Sequence, residues 1–204
     1  MKKILIATHN QAKLIELKMG FSKLENIGIK ILTLTDVGID KDPEETGKTF
    51  QENAELKARY YAGLTNLPTI ADDGGIMIPY LNNEPGIKSK RWMGREATDE
   101  ELIAFTLSRL HGSTGLKRTA YIKTCLAFFT PGGQIFFEEE QIKGHIAEKS
   151  SNRSTDGYPY RALFMVEKYN KYYDELTEKE HQEVNHRLIA LKRLTKKIED
   201  LINL

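Results

Sequence analysis

The chain has 204 residues, 40% of them hydrophobic, enough for one large domain or two small lobes with a real core. Its 30 basic and 29 acidic residues leave a net charge of +1, so it carries no global basic footprint for a nucleic-acid polymer. The lone cysteine, Cys125, excludes an internal disulfide and fits a reducing compartment, and no stretch approaches the roughly 20 apolar residues of a membrane-spanning helix. The apolar part of the first eight residues is too short for a signal peptide, so the expectation is a soluble cytoplasmic protein. Leu126, Ala127, Phe128 and Phe129 follow Cys125 and mark it as a buried apolar filler rather than a nucleophile.

Residues 3–8 read as a short buried strand. Asn10 can cap the next helix, whose inner face takes Leu14, Leu17 and Phe21. A second strand is predicted over 27–34, followed by a loop over 36–48 containing Gly38, Pro43 and Gly47. Thr49-Phe50-Gln51-Glu52 reads as a capping box opening a helix to about Ala62, with Phe50, Ala54, Ala58 and Tyr61 as its buried stripe. Residues 68–71 and 75–80 read as two brief strands separated by Asp72-Asp73-Gly74. Pro85-Gly86 marks a turn, and Thr98 caps a helix through about Leu110, with Glu101 completing another box. Residues 119–130 and 134–147 form a predicted hairpin around Pro131-Gly132-Gly133, and 150–157 a polar loop. Thr177 opens a C-terminal helical region with Val184, Leu188, Leu191 and Ile198 on one face, which Asn185 could split in two. The mixture implies an α/β protein whose later half holds antiparallel strands.

Four constellations carry candidate chemistry. In Thr8-His9-Asn10-Gln11-Ala12-Lys13 a strand ends and a helix begins, where free N–H groups and the helix dipole attract an anion. Lys13 in that first turn is unfavourable unless an anion is bound; the alternative is a solvated surface lysine. Of Glu44 and Glu45, either both are solvated loop acids or one turns inward to a metal. Asn53 and Lys57, four apart, share a helix face; beside the buried stripe, Lys57 either snorkels or meets an anion. Asp72-Asp73 is either turn chemistry or a pair of acids at the end of a buried strand, where α/β ligand sites gather. Adjacent carboxylates call for a cation, and with two lysines they suggest a magnesium–phosphate site. One aspartate could bind the ion and the other orient or deprotonate water. Arg187, beside the apolar face of its helix, either packs its stem or seeks a phosphate or nucleobase.

These pieces occur in order in one family. Thr8-His9-Asn10-Gln11-Ala12-Lys13, the run from Glu45 through Phe50, Asn53 and Lys57, Ala71-Asp72-Asp73-Gly74-Gly75-Ile76, Pro85-Gly86-Ile87-Lys88-Ser89-Lys90-Arg91, Lys143-Gly144-His145-Ile146 and Asn185-His186-Arg187 resemble the motifs of the inosine-triphosphate pyrophosphatases. The resemblance runs from Lys3 to about Leu194. It implies one domain over 1–204 with an elongated mixed sheet, helices and two lobes flanking a central cleft. It further implies a homodimer that splits non-canonical purine nucleoside triphosphates between the α- and β-phosphates. Carried over, Thr8, His9, Asn10, Lys13 and Lys57 would hold substrate, Glu45 and Asp73 would bind Mg2+, Asp73 would act as base and Asp72 would support it. Gly74, Tyr160, Arg161, His181, His186 and Arg187 complete the substrate-binding set.

Several positions depart from the family pattern. Arg161 stands where the family has a base-reading aspartate, His181 where it has lysine, Gly74 for serine and His9 for glycine. An aspartate accepts hydrogen bonds and an arginine only donates, so a shift in base selectivity is expected. A nucleotide-binding protein of the same fold with little turnover is the alternative.

Overall fold

The computed structural model describes residues 2–151, 153 and 157–202. In chain order, β1 (Lys3–Ala7) leads to α1 (Gln11–Gly20), α2 (Ser22–Asn26), β2 (Lys30–Thr33), α3 (Phe50–Thr65), β3 (Thr69–Ile78) and β4 (Glu84–Pro85). Then come α4 (Asp99–Arg109), β5 (Thr119–Phe129), β6 (Ile135–Ile146), β7 (Phe164–Val166), β8 (Lys171–Tyr172), α5 (Glu178–Val184) and α6 (His186–Ile202).

Two compact units emerge, one from residues 1–73, 124–140 and 186–204, the other from 74–123 and 141–185. In the first, β1 lies between β2 and β3, parallel to both, and β5 and β6 continue the order beyond β3. Side chains alternate along a strand, so each face of this sheet gathers its own helices. Ile4, Ile6 and Ile70 pack with Leu17 of α1, with Phe21 just after it, and with Leu191, Leu194 and Ile198 of α6. The next residues along, Leu5, Ala7 and Ala71, are also buried, as are Ala54, Ala58 and Tyr61 of α3. α1 and α6 approach closely enough that a Cβ on Gly20 would meet a Leu191 methyl at 2.3 Å.

In the second unit, β6, β7 and β8 run antiparallel in that order, and β4 pairs antiparallel with the end of β3. Its core joins Ile76, Ile78, Trp92, Leu102, Leu110, Ile146, Leu163 and Phe164. Arg118, buried, donates to the carbonyls of Ile146, Leu110, Ser113 and Ala147, an all-backbone staple for the turns around it.

Several expectations change. β3 is one strand through Asp72-Asp73-Gly74-Gly75, not two brief ones, because pairing passes from one neighbour to another. Its parallel register with β1 stops at Ala7–Ala71, so the acids still emerge where β1 ends. The second strand begins only at Lys30, since Gly28 takes a positive φ of 85° after α2. Thr49 accepts from the Glu52 N–H, but Glu52 reaches back to the Lys48 N–H, so half of the expected capping box forms. The box at Thr98 is complete, and Asn185 does split the C-terminal region. Residues 152 and 154–156 of the expected polar loop lie outside the described residues.

Candidate active site

The β1–α1 turn is held by its own side chains. Thr8 Oγ1 accepts from the Asn10 N–H at 3.2 Å, and Asn10 Oδ1 caps α1 by accepting from the Lys13 N–H at 3.0 Å. This sets Lys13 in the first helical turn, where its ammonium meets Asp72 Oδ2 at 2.7 Å. His9 Nε2 lies 4.0 Å from Asp42 Oδ1, the same oxygen that accepts from the Tyr61 hydroxyl at 2.6 Å.

Asp72 and Asp73 are consecutive residues of an extended strand, so their carboxyls leave on opposite faces. Asp72 goes to the α1/α6 side and is fully buried there. Its partners are Lys13, Arg187 Nε at 3.3 Å and the Thr124 hydroxyl. Arg187 also pairs with Glu16 of α1, itself buried. Burial alone would raise the Asp72 pKa, but the Arg187 and Lys13 charges outweigh it and hold the carboxyl well below the usual carboxylate range.

Asp73 goes to the α3 side. Lys57 Nζ bonds Asp73 Oδ1 at 2.9 Å and Glu45 Oε1 at 2.9 Å, and Asn53 Nδ2 donates to Asp73 Oδ2 at 3.4 Å. Burial pushes the Asp73 pKa up, and Lys57 and Lys13 offset it only in part. Burial lowers that of Lys57, yet Asp73 and Glu45 together carry it above the ordinary lysine value. The cluster is therefore two carboxylates on one ammonium, a surplus of negative charge drawn from a loop, a helix and a strand. Its hard oxygen donors suit a small divalent cation.

The sequence-derived set thus assembles in the first unit as two groups: Lys13, Asp72 and Arg187, and Glu45, Lys57 and Asp73. His186, adjacent to Arg187, is buried. The other four lie in the second unit. Gly74 is the next residue of β3. The Tyr160 hydroxyl donates to Ser89 O at 2.7 Å, and burial raises its pKa. The Arg161 guanidinium stacks over Tyr158 at 3.7 Å and Tyr173 at 4.8 Å. His181 meets the edge of Tyr173 at 5.1 Å, so Tyr173 joins these two departures from the family pattern. Sequence reasoning missed Glu16, Thr124 and the Asp42–Tyr61 pair; only Tyr61, on the buried stripe with a hydroxyl needing a partner, gave a usable signal.

Residues 4–197 match the Ham1 family. A dITP/XTP pyrophosphatase of Bacillus subtilis (strain 168) is 38% identical over 199 residues, 98% of each chain. Among solved structures, a HAM1 protein from Coxiella burnetii superposes with a TM-score of 0.85 at 33% identity, covering 98% of this chain and 100% of that one. The Staphylococcus aureus Ham1 protein gives 0.84 at 31%, covering 98% and 99%. The chain belongs to the Ham1 family, the inosine-triphosphate pyrophosphatase family that its motifs resemble.

Proposed function

We propose that this protein hydrolyses non-canonical purine nucleoside triphosphates such as dITP, ITP and XTP to the monophosphate and pyrophosphate. The observation that carries the reading is the convergence of Glu45 and Asp73, from separate segments, on one cation, the Lys57 ammonium. Glu45 and Asp73 are the residues that would hold Mg2+, which when bound supplies Lewis-acid polarisation of the phosphates. The β1–α1 turn offers Thr8, His9, Asn10 and the Lys13 ammonium to the polyphosphate. Lys57 and Lys13 supply charge that stabilises the departing pyrophosphate. Asp73 deprotonates the attacking water, and Asp72 holds Lys13 in place.

Arg161, clamped by two aromatic rings, and His181 set the choice of base. A guanidinium favours acceptor-rich edges, so selectivity differs from that of a relative with aspartate there. The substrate is a small-molecule pool of the reducing cytoplasm, which suits a chain whose one cysteine is a buried thiol. No helix among the described residues is long and apolar enough to cross a membrane. The protein acts as a homodimer; Tyr80, Met93 and Leu116 are exposed apolar side chains that a second copy could cover.

Pyrophosphate release from dITP, ITP, XTP, ATP and GTP, with Mg2+ and with EDTA, tests the activity. Release from inosine or xanthine nucleotides only with Mg2+ supports it. Binding without release by the unaltered protein supports a nucleotide-binding protein instead. Arg161→Asp together with His181→Lys should change ITP turnover relative to XTP; an unchanged ratio removes these residues from base selection.

A further inference from the structure

Asn53 is 1% exposed, an amide with both ends spoken for. Its carbonyl oxygen accepts from the Gly47 N–H at 2.8 Å, and its NH2 donates to Asp73 Oδ2 at 3.4 Å. Only one orientation of the amide works. Turned over, it would aim NH2 at an N–H donor and a carbonyl at a carboxylate. Gly47 lies two residues after Glu45, on the segment that delivers that glutamate. A Cβ on Gly47 would meet Asn53 Oδ1 at 2.5 Å, Glu52 Cβ at 2.8 Å and Asn53 N at 2.9 Å. Glycine is required there because the loop lies against the first turns of α3, not because of a strained φ.

The two acids of the cluster are thereby fixed by one helix. Lys57 holds one oxygen of each, and Asn53, one turn earlier, holds the second oxygen of Asp73 and the backbone beside Glu45. An ammonium is a point charge that tolerates many arrangements, whereas an amide fixes direction at both ends. Asp42 pins the same loop farther along α3, through the Tyr61 hydroxyl.

Resting on the activity proposed above, we infer that Asn53 is a positioning residue. It splices the Glu45 loop to Asp73 and so sets the spacing of the two acids for one divalent cation. Groups that orient metal ligands without touching the metal change metal affinity by about 10- to 100-fold when removed.

The test titrates Mg2+ against Asn53→Ala, Asn53→Asp and Gly47→Ala in the full chain. Asn53→Asp keeps the acceptor for Gly47 but removes the donor to Asp73. Turnover of dITP gives the Mg2+ concentration for half-maximal rate. The Mg2+-dependent rise in melting temperature with a non-hydrolysable α,β-imido nucleotide gives a readout independent of turnover. Each variant should need about tenfold more Mg2+ or above in both assays. At saturating Mg2+ the nucleotide KM should stay within about threefold, a split that general unfolding would not produce. A folded Asn53→Asp with the wild-type Mg2+ requirement overturns the proposal, and so does a variant whose nucleotide KM shifts as far as its Mg2+ requirement. If Asn53→Ala fails to fold, Asn53→Asp decides. If the wild type releases no pyrophosphate from any nucleotide, the activity reading falls, and the melting assay still decides the role of Asn53.

Discussion

On one face of β3, Asp72 is ringed by Lys13, Arg187 and the Thr124 hydroxyl, with Glu16 closing the group behind Arg187. On the other, Asp73 shares a single ammonium with Glu45. The first cluster has two cations for two carboxylates and no solvent access at Asp72; the second has one cation for two carboxylates, and Glu45 is partly open. Burial raises the pKa of both aspartates, but only at Asp72 do neighbouring charges reverse the sign. Two identical residues, adjacent in sequence, thus come to differ in charge balance, Asp72 held as a carboxylate by two cations and Asp73 sharing one with Glu45. What separates them is the alternation of a strand and which helices cover each face.

Substitution at the two aspartates is the strongest way to break that contrast. Asp73→Asn should lower kcat by about 10³-fold or more, since it removes both the proposed base and a proposed metal ligand, and should leave the urea midpoint nearly unchanged. Asp72→Asn should cost about 3 kcal/mol of stability, because buried Arg187 and half-buried Lys13 lose their shared partner. Urea titration of both variants checks the pair. Equal stability losses would mean that the two acids play one role.

The next effect is smaller and tests whether the Asp72 group is a unit. Glu16→Gln and Arg187→Met should each destabilise, and their double-mutant cycle should show a coupling of roughly 1–3 kcal/mol. Additive losses would show the Glu16–Arg187 contact to be incidental.

Acid titration sharpens the contrast further. The folded pKa of Asp72 lies below its unfolded value, so its contribution is fully present above about pH 4 and is lost as pH falls below that. The stability difference between wild type and Asp72→Asn should therefore shrink on the acid side. A difference that is flat with pH would contradict the charge balance drawn above. Smallest of all, Mg2+ with a non-hydrolysable nucleotide should raise the melting temperature of wild type by a few degrees. It should do less for Glu45→Gln, separating the proposed metal ligand from the Asp72 cluster.

Much of this was legible before any coordinates. The cap at Asn10, the stripe of Phe50, Ala54, Ala58 and Tyr61, and the hairpin around Pro131 follow from local periodicity and capping chemistry, which a chain displays openly. Asp72-Asp73 also stood out, because adjacent buried acids demand cations wherever they lie. Local reading failed where partners are remote. Glu16 meets Arg187 across 171 positions and Thr124 meets Asp72 across 52, and nothing near Glu16 or Thr124 announces it. The unbroken run of β3 through two glycines was hidden for a similar reason. Glycine pairs read as a turn unless a neighbouring strand, here β5, supplies the ladder. β7 and β8 are too short, at three and two residues, to show alternation.

Arg187 has one more consequence, which concerns synthesis. It follows Asp72 by 115 positions, although both belong to the same unit. A ribosome adding roughly 5–20 residues per second needs on the order of ten seconds to cover that interval. Throughout it, the emerging chain lacks one of the two cations that balance Asp72. Copies that end before Arg187 leave Asp72 with Lys13 as its cation, so the full charge balance of this group waits for the last helix.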